Sequence, residues 1–457
     1  MAAPQAVPWR RRFGLAALAL GLVGAVHGLA YVPFAGPRLG DTPSYTAAAQ
    51  AIRNGGYSTR LPDTDVTGLP IPESAQGSLE RQSYRTPGYP LLLAATGFGG
   101  PGRPYLLIVV QALLTGVAVS LLALTARRLW GERAGLVAGA LAALDPFPKH
   151  YVPRILSEAL AGFLVALAAY AFVRAWQSRS AWWWAATGAS TAALTLTRPL
   201  FGLAVPLVVL GALVVRSWRG ALTCGAACAL LLGPWIAWEG DVAGRATLSS
   251  FGEGWNLLIA AHGEGYGDTA TEVQRSRSYL HDFASVQRFA PSAAELRRNP
   301  EAHPHYLARA DAEQRRLAKA LYGKRLRHEP LTVLGEIAYR AYFLWMAHED
   351  WVQPHGLVWL LRAVDWLTLL LAAIGAALAI RLGGAGRALA LFLLLFTLVN
   401  ALHHVEARYS MPVRGLYVAF VALAGLALLD AARVRRERGQ EQGRDPDDRD
   451  CDVPDRR

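Results

Sequence analysis

The chain has 457 residues, 53% of them hydrophobic and only 18% charged, and the apolar residues run in long blocks rather than at the spaced positions of an amphipathic soluble domain. A formal charge of +12 would suit a nucleic-acid binder. The distribution argues against that partner: Arg10, Arg11, Arg12, Arg127, Arg128, Arg133, Arg174, Arg179, Arg216, Arg219, Arg381 and Arg387 all sit in short segments beside apolar blocks, the positive-inside pattern of a membrane protein.

A helix needs about 20 mostly apolar residues to cross the hydrocarbon core, because only a helix satisfies its own backbone polar groups there. Blocks beginning near Phe13, Tyr105, Ala134, Ile155, Ala181, Pro199, Ala221, Val358, Ala388 and Gly415 predict ten spans, with both termini cytoplasmic. The expected fold is an all-α polytopic membrane protein of about ten transmembrane helices, with an interfacial helix in the first outer loop and a small extracytoplasmic helical segment. The first block, from Arg10 to Ala30, also fits a cleaved secretory signal; the many later spans favour an uncleaved first helix. Residues 1–238 are read as an N-terminal transmembrane region with its first outer loop at 35–104, 239–330 as an extracytoplasmic segment, 331–431 as a C-terminal transmembrane region and 432–457 as a disordered cytoplasmic tail.

Two blocks resist simple counting. Ala134–Leu144 is short and stopped by Asp145-Pro146, which fits a tilted or half-buried helix. Leu331–Met346 carries Glu336 and Arg340, and a crossing there would put the basic loop from Arg381 to Arg387 on the wrong side, so an interfacial helix is expected. The glycines Gly252, Gly254, Gly263, Gly265 and Gly267 do not open a helix after a strand, which excludes a dinucleotide-binding turn. The cysteines Cys224, Cys228 and Cys451 imply no disulfide framework.

Polar residues suited to chemistry concentrate on the outer face. After the first span, Thr42 can cap a helix, Pro43 suits its first position, and Gly55-Gly56 stop it, with Tyr45, Ala48, Ala49 and Ile52 on one side. Asp41 stands just before the positive end of this helix. It either complements the helix dipole or acts as a general base at the membrane edge. Further outer segments are Arg85-Thr86-Pro87-Gly88-Tyr89-Pro90, Asp145 to Lys149, Arg154 to Glu158, Thr197-Arg198-Pro199, and His403 to Pro412.

Asp41, the run Arg85–Pro90, Ser157-Glu158 and Arg408-Tyr409-Ser410-Met411-Pro412 together resemble motifs of the glycosyltransferase C superfamily, in the group containing protein O-mannosyltransferases and lipid A aminoarabinose transferases. The resemblance implies an inverting enzyme that moves a sugar from a polyprenyl-phosphate carrier to a lipid, glycan or protein acceptor, in a bacterial plasma membrane and at its outer face. It implies that Asp41 is the catalytic base. Arg85, Lys149, Arg154, Arg198 and Arg408 are the outer cations suited to a phosphate, and Tyr45, Tyr89, Asp145, Glu158, His404, Glu406 and Tyr409 complete the expected substrate-binding set. Thr42 follows Asp41 where many relatives have a second acid, which makes Asp145 the nearest second carboxylate unless it only caps its Asp-Pro stop.

Glu158 is costly facing lipid and is expected to meet a cavity or Arg154. No cofactor is assigned; a divalent metal stays open, with donors at His403, His404 and Glu406 and at His348, Glu349, Asp350 and His355, although interfacial hydrogen bonds explain the first set and an interfacial belt with Trp345 and Trp351 the second. Trp182, Trp183 and Trp184 read as an aromatic anchor at the cytoplasmic surface. The competing functions are a transporter or lipid flippase without covalent chemistry, disfavoured by the uncharged middles of the spans, and an oligosaccharide ligase or polymerase with a similar outer site.

Overall fold

The computed structural model describes residues 7–33, 42–57, 85–97, 104–249, 252–263, 298, 302–346 and 358–442. The helix α1, Val7–Leu29, is followed by the short helices α2, Thr42–Arg53, and α3, Gly88–Ala95. Next come α4 (Tyr105–Trp130), α5 (Glu132–Leu144), the short α6 (Pro146–His150), α7 (Glu158–Ser178) and α8 (Ala181–Thr197). A 3-10 turn at Pro199–Leu203 opens α9 (Ala204–Val214), which leads to α10 (Trp218–Ala243). Beyond it lie α11 (Glu253–Ala261), α12 (Ala302–His328) and α13 (Pro330–Phe343). The chain ends in α14 (Val358–Leu382), α15 (Gly384–Ala401), a 3-10 segment at Ala407–Val413, and α16 (Arg414–Gln442).

All ten expected blocks are helical, but among the described residues seven helices are long and apolar enough to cross a membrane: α1, α4, α7, α10, α14, α15, and α16 with its 3-10 lead. The other three expected spans, α5, α8 and α9, have 13, 17 and 11 residues. With 13 residues, α5 extends only about 20 Å against a core of about 30 Å. On α1, Leu15, Leu18, Leu22 and Val26 are all more than half exposed. Their spacing places them on one helical face, which only lipid can cover without penalty. The opposite face packs on α4 so closely that a Cβ at Gly21 would stand 2.7 Å from the Gly116 carbonyl oxygen, the close approach that small residues allow between membrane helices.

The arginines of the short connections share one end of the bundle. Arg127 pairs with Glu132 at 2.5 Å and lies over the Phe13 ring at 4.2 Å, while Arg128 donates to Gln177 at 3.1 Å. Near them Arg174 covers the Trp183 ring, Trp182 is exposed and Trp184 is fully buried. Successive helical residues point about 100° apart, so three consecutive tryptophans cannot form the single anchor expected of them.

The opposite end carries α2, α3, α6, α11, α12 and α13. Asp311 of α12 is buried and accepts from the backbone N–H groups of Gly252 and Gly254 at 3.0 and 2.8 Å, with Arg245 paired to it at 3.2 Å. Arg325 joins α12 to α13 through Glu336 at 2.7 Å. The fully buried Arg340 donates to the Ala401 carbonyl at 2.8 Å and to the Tyr322 hydroxyl at 3.0 Å. Both charges of α13 therefore serve protein contacts, while Leu331, Leu334 and Tyr339 stay exposed on its other face. The helix α10 extends past Glu239, which is buried within it, and α16 continues to Gln442.

Candidate active site

The site is built around the first residue of α7. Pro199 disfavours helical geometry at the residue before it, and Arg198 accordingly leaves α8 with φ −143° and ψ 107°. Its guanidinium turns onto the start of α7, where Nη2 donates to Glu158 Oε1 at 2.7 Å and Nε to Ser157 Oγ at 3.2 Å. Glu158 is 1% exposed and Arg198 18%. The partner of Glu158 is thus Arg198 and not Arg154. Arg154 instead donates to His150 Nε2 at 2.5 Å and lies over the Tyr151 ring, because α6 and the turn after it hold these three residues on one side.

A second group comes from the loop between α15 and α16. Arg408 forms an ion pair with Glu406, and the Tyr409 hydroxyl donates to Glu406 Oε1 at 3.1 Å. His404 Nε2 stands 3.6 Å from the same oxygen, and the His404 backbone N–H donates to the Asn256 carbonyl of α11, tying the loop to the extramembrane helices. Burial alone would raise the Glu406 carboxyl; Arg408 and His404 outweigh it and hold the group at about 2. The Tyr409 ring then joins the two groups, with the guanidinium of Arg198 5.9 Å from its centroid and that of Arg408 5.8 Å.

The third contribution is the α2–α3 layer. Arg85 Nε donates to Ser44 Oγ at 3.0 Å, and its guanidinium lies 4.7 Å over the Tyr45 ring. The Tyr45 hydroxyl donates to Ser157 Oγ at 3.4 Å, so Tyr45 and Arg198 meet on one serine. Tyr45 packs edge-on against the buried Tyr89, whose hydroxyl reaches Gln111 Oε1 at 3.0 Å. Gly88 makes this approach feasible: a Cβ there would stand 2.5 Å from Thr197 Oγ1 and 2.8 Å from the Leu196 carbonyl oxygen. The Thr42 hydroxyl donates to the Ile155 carbonyl at 3.4 Å, which sets the first turn of α2 against the segment leading to α7. Asp41, immediately before α2, lies outside the described residues.

Of the five expected cations, Arg85, Arg198 and Arg408 are therefore linked through Tyr45, Ser157 and Tyr409. Lys149 and Arg154 turn elsewhere. Lys149 is 1% exposed and donates to the Ala142 carbonyl, and burial pushes it down to about 8 against an opposing pull from Asp145. Neighbouring His150 is lowered to about 4 by burial and Arg154. Asp145 caps α6 by accepting from the Phe147 N–H at 3.1 Å and pairs with Arg414 Nε at 3.0 Å, which commits it away from the Arg198 group. Asp365 completes that buried cluster, 3.9 Å from Arg414.

Sequence reasoning did not single out Ser44, Gln111, Asp365 or Arg414. Gln111 and Asp365 interrupt apolar blocks and were detectable on that ground; Ser44 carried no signal. Among the described residues no three His, Cys, Asp or Glu side chains are placed to hold a metal ion. His403 contacts the Val399 carbonyl instead of joining His404 and Glu406. The set His348, Glu349, Asp350 and His355 lies outside the described residues.

This helical layout, with its polar groups gathered at one end, is that of a multi-pass membrane protein of the glycosyltransferase C fold, in keeping with the resemblance carried by the short motifs. Residues 98–238 match the family model described as dolichyl-phosphate-mannose-protein mannosyltransferase. The archaeal oligosaccharyltransferase AglB of Archaeoglobus fulgidus, solved with an inhibitory peptide and a dolichol-phosphate, is similar over 94% of this chain and 52% of its own, at 13% identity and a TM-score of 0.50. The present chain thus spans about half the length of that enzyme. ArnT of Cupriavidus metallidurans, solved bound to undecaprenyl phosphate, aligns over 92% of this chain and 78% of its own, at 16% identity and a TM-score of 0.35. No curated protein sequence matches.

Proposed function

We propose that the protein transfers a sugar from a polyprenyl-phosphate carrier to a lipid, glycan or protein acceptor at the extracytoplasmic face of a bacterial plasma membrane. The observation that carries this reading is the pair of half-buried guanidiniums, Arg198 and Arg408, flanking one phenol ring at the end of the bundle opposite the arginine-rich connections. By the positive-inside rule that end faces outward. Planar guanidiniums suit bidentate recognition of phosphate, and Glu158 and Glu406 orient them.

The acceptor hydroxyl or amine attacks the anomeric carbon while Asp41 takes its proton, and the bond from that carbon to the phosphate oxygen breaks. Polyprenyl phosphate departs with one more negative charge, which Arg198 and Arg408 stabilise. Attack opposite the leaving group inverts the anomeric configuration. Asp41 suits the base because it directly precedes α2, whose first turn rests beside the segment leading to Ser157 and Glu158.

A flippase would need ionisable groups through the bilayer centre. The Asp145–Arg414–Asp365 cluster does not supply them, since Asp365 lies only about 10 Å along α14 from its start. The decisive assay supplies purified protein with polyprenyl-phosphate sugars and compares wild type with Asp41→Asn. A loss of roughly 10²- to 10⁴-fold in rate is expected for removal of a general base; transfer at the wild-type rate by the folded variant refutes the role of Asp41.

A further inference from the structure

A cavity of about 40 Å³ lies between α4, α5, α7 and the start of α16. Ala118, Leu122, Val165 and Leu416 make its walls apolar, yet Asp145, Lys149 and Glu158 all reach it. Lys149 and Glu158 are each 1% exposed. Glu158 gives Oε1 to Arg198, and its buried Oε2 has no hydrogen-bond partner among the described residues. An ammonium group carries three N–H donors, and the Ala142 carbonyl takes one of those on Lys149. Glu158, with one carboxylate oxygen unmet, and Lys149, with ammonium donors beyond the one given to Ala142, thus both line a space with room for roughly two or three waters.

We propose that water in this cavity joins Glu158 Oε2 to Lys149 Nζ, making Lys149 a positioning residue for the Arg198–Glu158 pair rather than a ligand of the donor phosphate. The inference rests on the proposed role of Arg198 in holding that phosphate. Arg198 is shared between Glu158 and the incoming phosphate, so anything that satisfies Glu158 from behind leaves more of the guanidinium for the donor. A charged Lys149 does this, and a neutral one leaves Glu158 to Arg198 alone.

The titratable and charged groups around Lys149 come from several elements. Asp145 comes from the α5–α6 junction, where Arg414 already engages it, and Glu158 from α7; α1, packed on α6, brings His27 to the Ala143 carbonyl and is followed by Tyr31, which packs on His150, itself bonded to Arg154; α4 offers Thr115 and the 3-10 segment before α16 offers Met411, both uncharged. Burial sets Lys149 at about 8, so its charge fades just above neutrality, where a phosphate monoester, with a second pKa of about 6, has finished titrating.

The test is binding of undecaprenyl phosphate to the full chain in detergent between about pH 7 and about pH 9.5. Wild-type affinity is expected to fall about fivefold or more across this range, while Lys149→Arg, which keeps its charge, stays flat. Lys149→Met is expected to bind weakly throughout, and in the transfer assay to raise KM for the donor with little change in kcat. A flat wild-type profile, or an identical slope in Lys149→Arg, overturns the role of Lys149 and leaves the donor site standing. The wild-type profile alone decides if a variant fails to fold. Absence of binding at every pH overturns the donor site itself, and this inference with it.

Discussion

Replacing Arg198 by glutamine separates what the Arg198–Glu158 pair does for stability from what it does for the donor. In wild type the carboxylate is 1% exposed and its Oε1 lies 2.7 Å from the guanidinium. Removing the cation leaves that charge uncompensated where water scarcely reaches, which costs about 3–5 kcal/mol when a buried pair is broken. Arg198 is 18% exposed, so some water follows the vacated side chain and the lower end, about 3 kcal/mol, is expected. Glu158→Gln is milder, about 1–2 kcal/mol, because the remaining guanidinium keeps Ser157 Oγ and partial solvent. The double variant removes both members of the ion pair and returns to within about 1 kcal/mol of wild type, a coupling that only neighbouring groups show. Unfolding of detergent-solubilised protein followed by tryptophan fluorescence reads the order directly. Donor binding measured beside it separates the roles: the double variant recovers stability without recovering affinity for polyprenyl phosphate. The reasoning fails if Arg198→Gln unfolds with wild type, or if the stabilised double variant binds donor as tightly as Glu158→Gln.

Two further outcomes follow from the same geometry. Gly88→Ala puts a Cβ 2.5 Å from Thr197 Oγ1 and 2.8 Å from a backbone carbonyl oxygen that cannot retreat, so α3 must shift. Overpacking of this kind costs about 1–3 kcal/mol, and transfer activity is expected to drop while helix content by circular dichroism is unchanged; an active, wild-type-like variant contradicts the close approach. Glu406, held at about 2 against an ordinary 4.5, adds stability that is complete above pH 4.5 and is lost as pH falls towards 2, about 3 kcal/mol in all. An acid titration of unfolding checks this, and Glu406→Gln should flatten the acid limb; unchanged acid sensitivity in that variant assigns the loss to other groups.

The helices were legible in the chain itself because their causes are local. A run such as Tyr105–Trp130, long and apolar with arginines only at its end, has no stable destination but the bilayer. Thr42, Pro43 and the Gly55-Gly56 stop likewise delimit a helix ending at Arg53, whatever surrounds it. The same local view did not set the lengths of α5, α8 and α9, since an apolar block does not show where a proline or a connection cuts it short. The pairing of charges was not legible at all. Arg154 stands four residues before Glu158 and Arg198 forty after it, yet Arg198 is the partner, because α7 and α8 form a hairpin that returns the chain to its starting level and Pro199 turns the guanidinium inward. Asp145 meets Arg414 across 269 residues, and Lys149, an outer-loop lysine by sequence, is buried and donates to the Ala142 carbonyl of α5. Such contacts depend on the register in which helices pack, which side-chain volumes such as the missing Cβ atoms of Gly21, Gly88 and Gly116 set jointly. Hydropathy carries no information about that register, so only the tertiary structure decided which of the expected cations lie together.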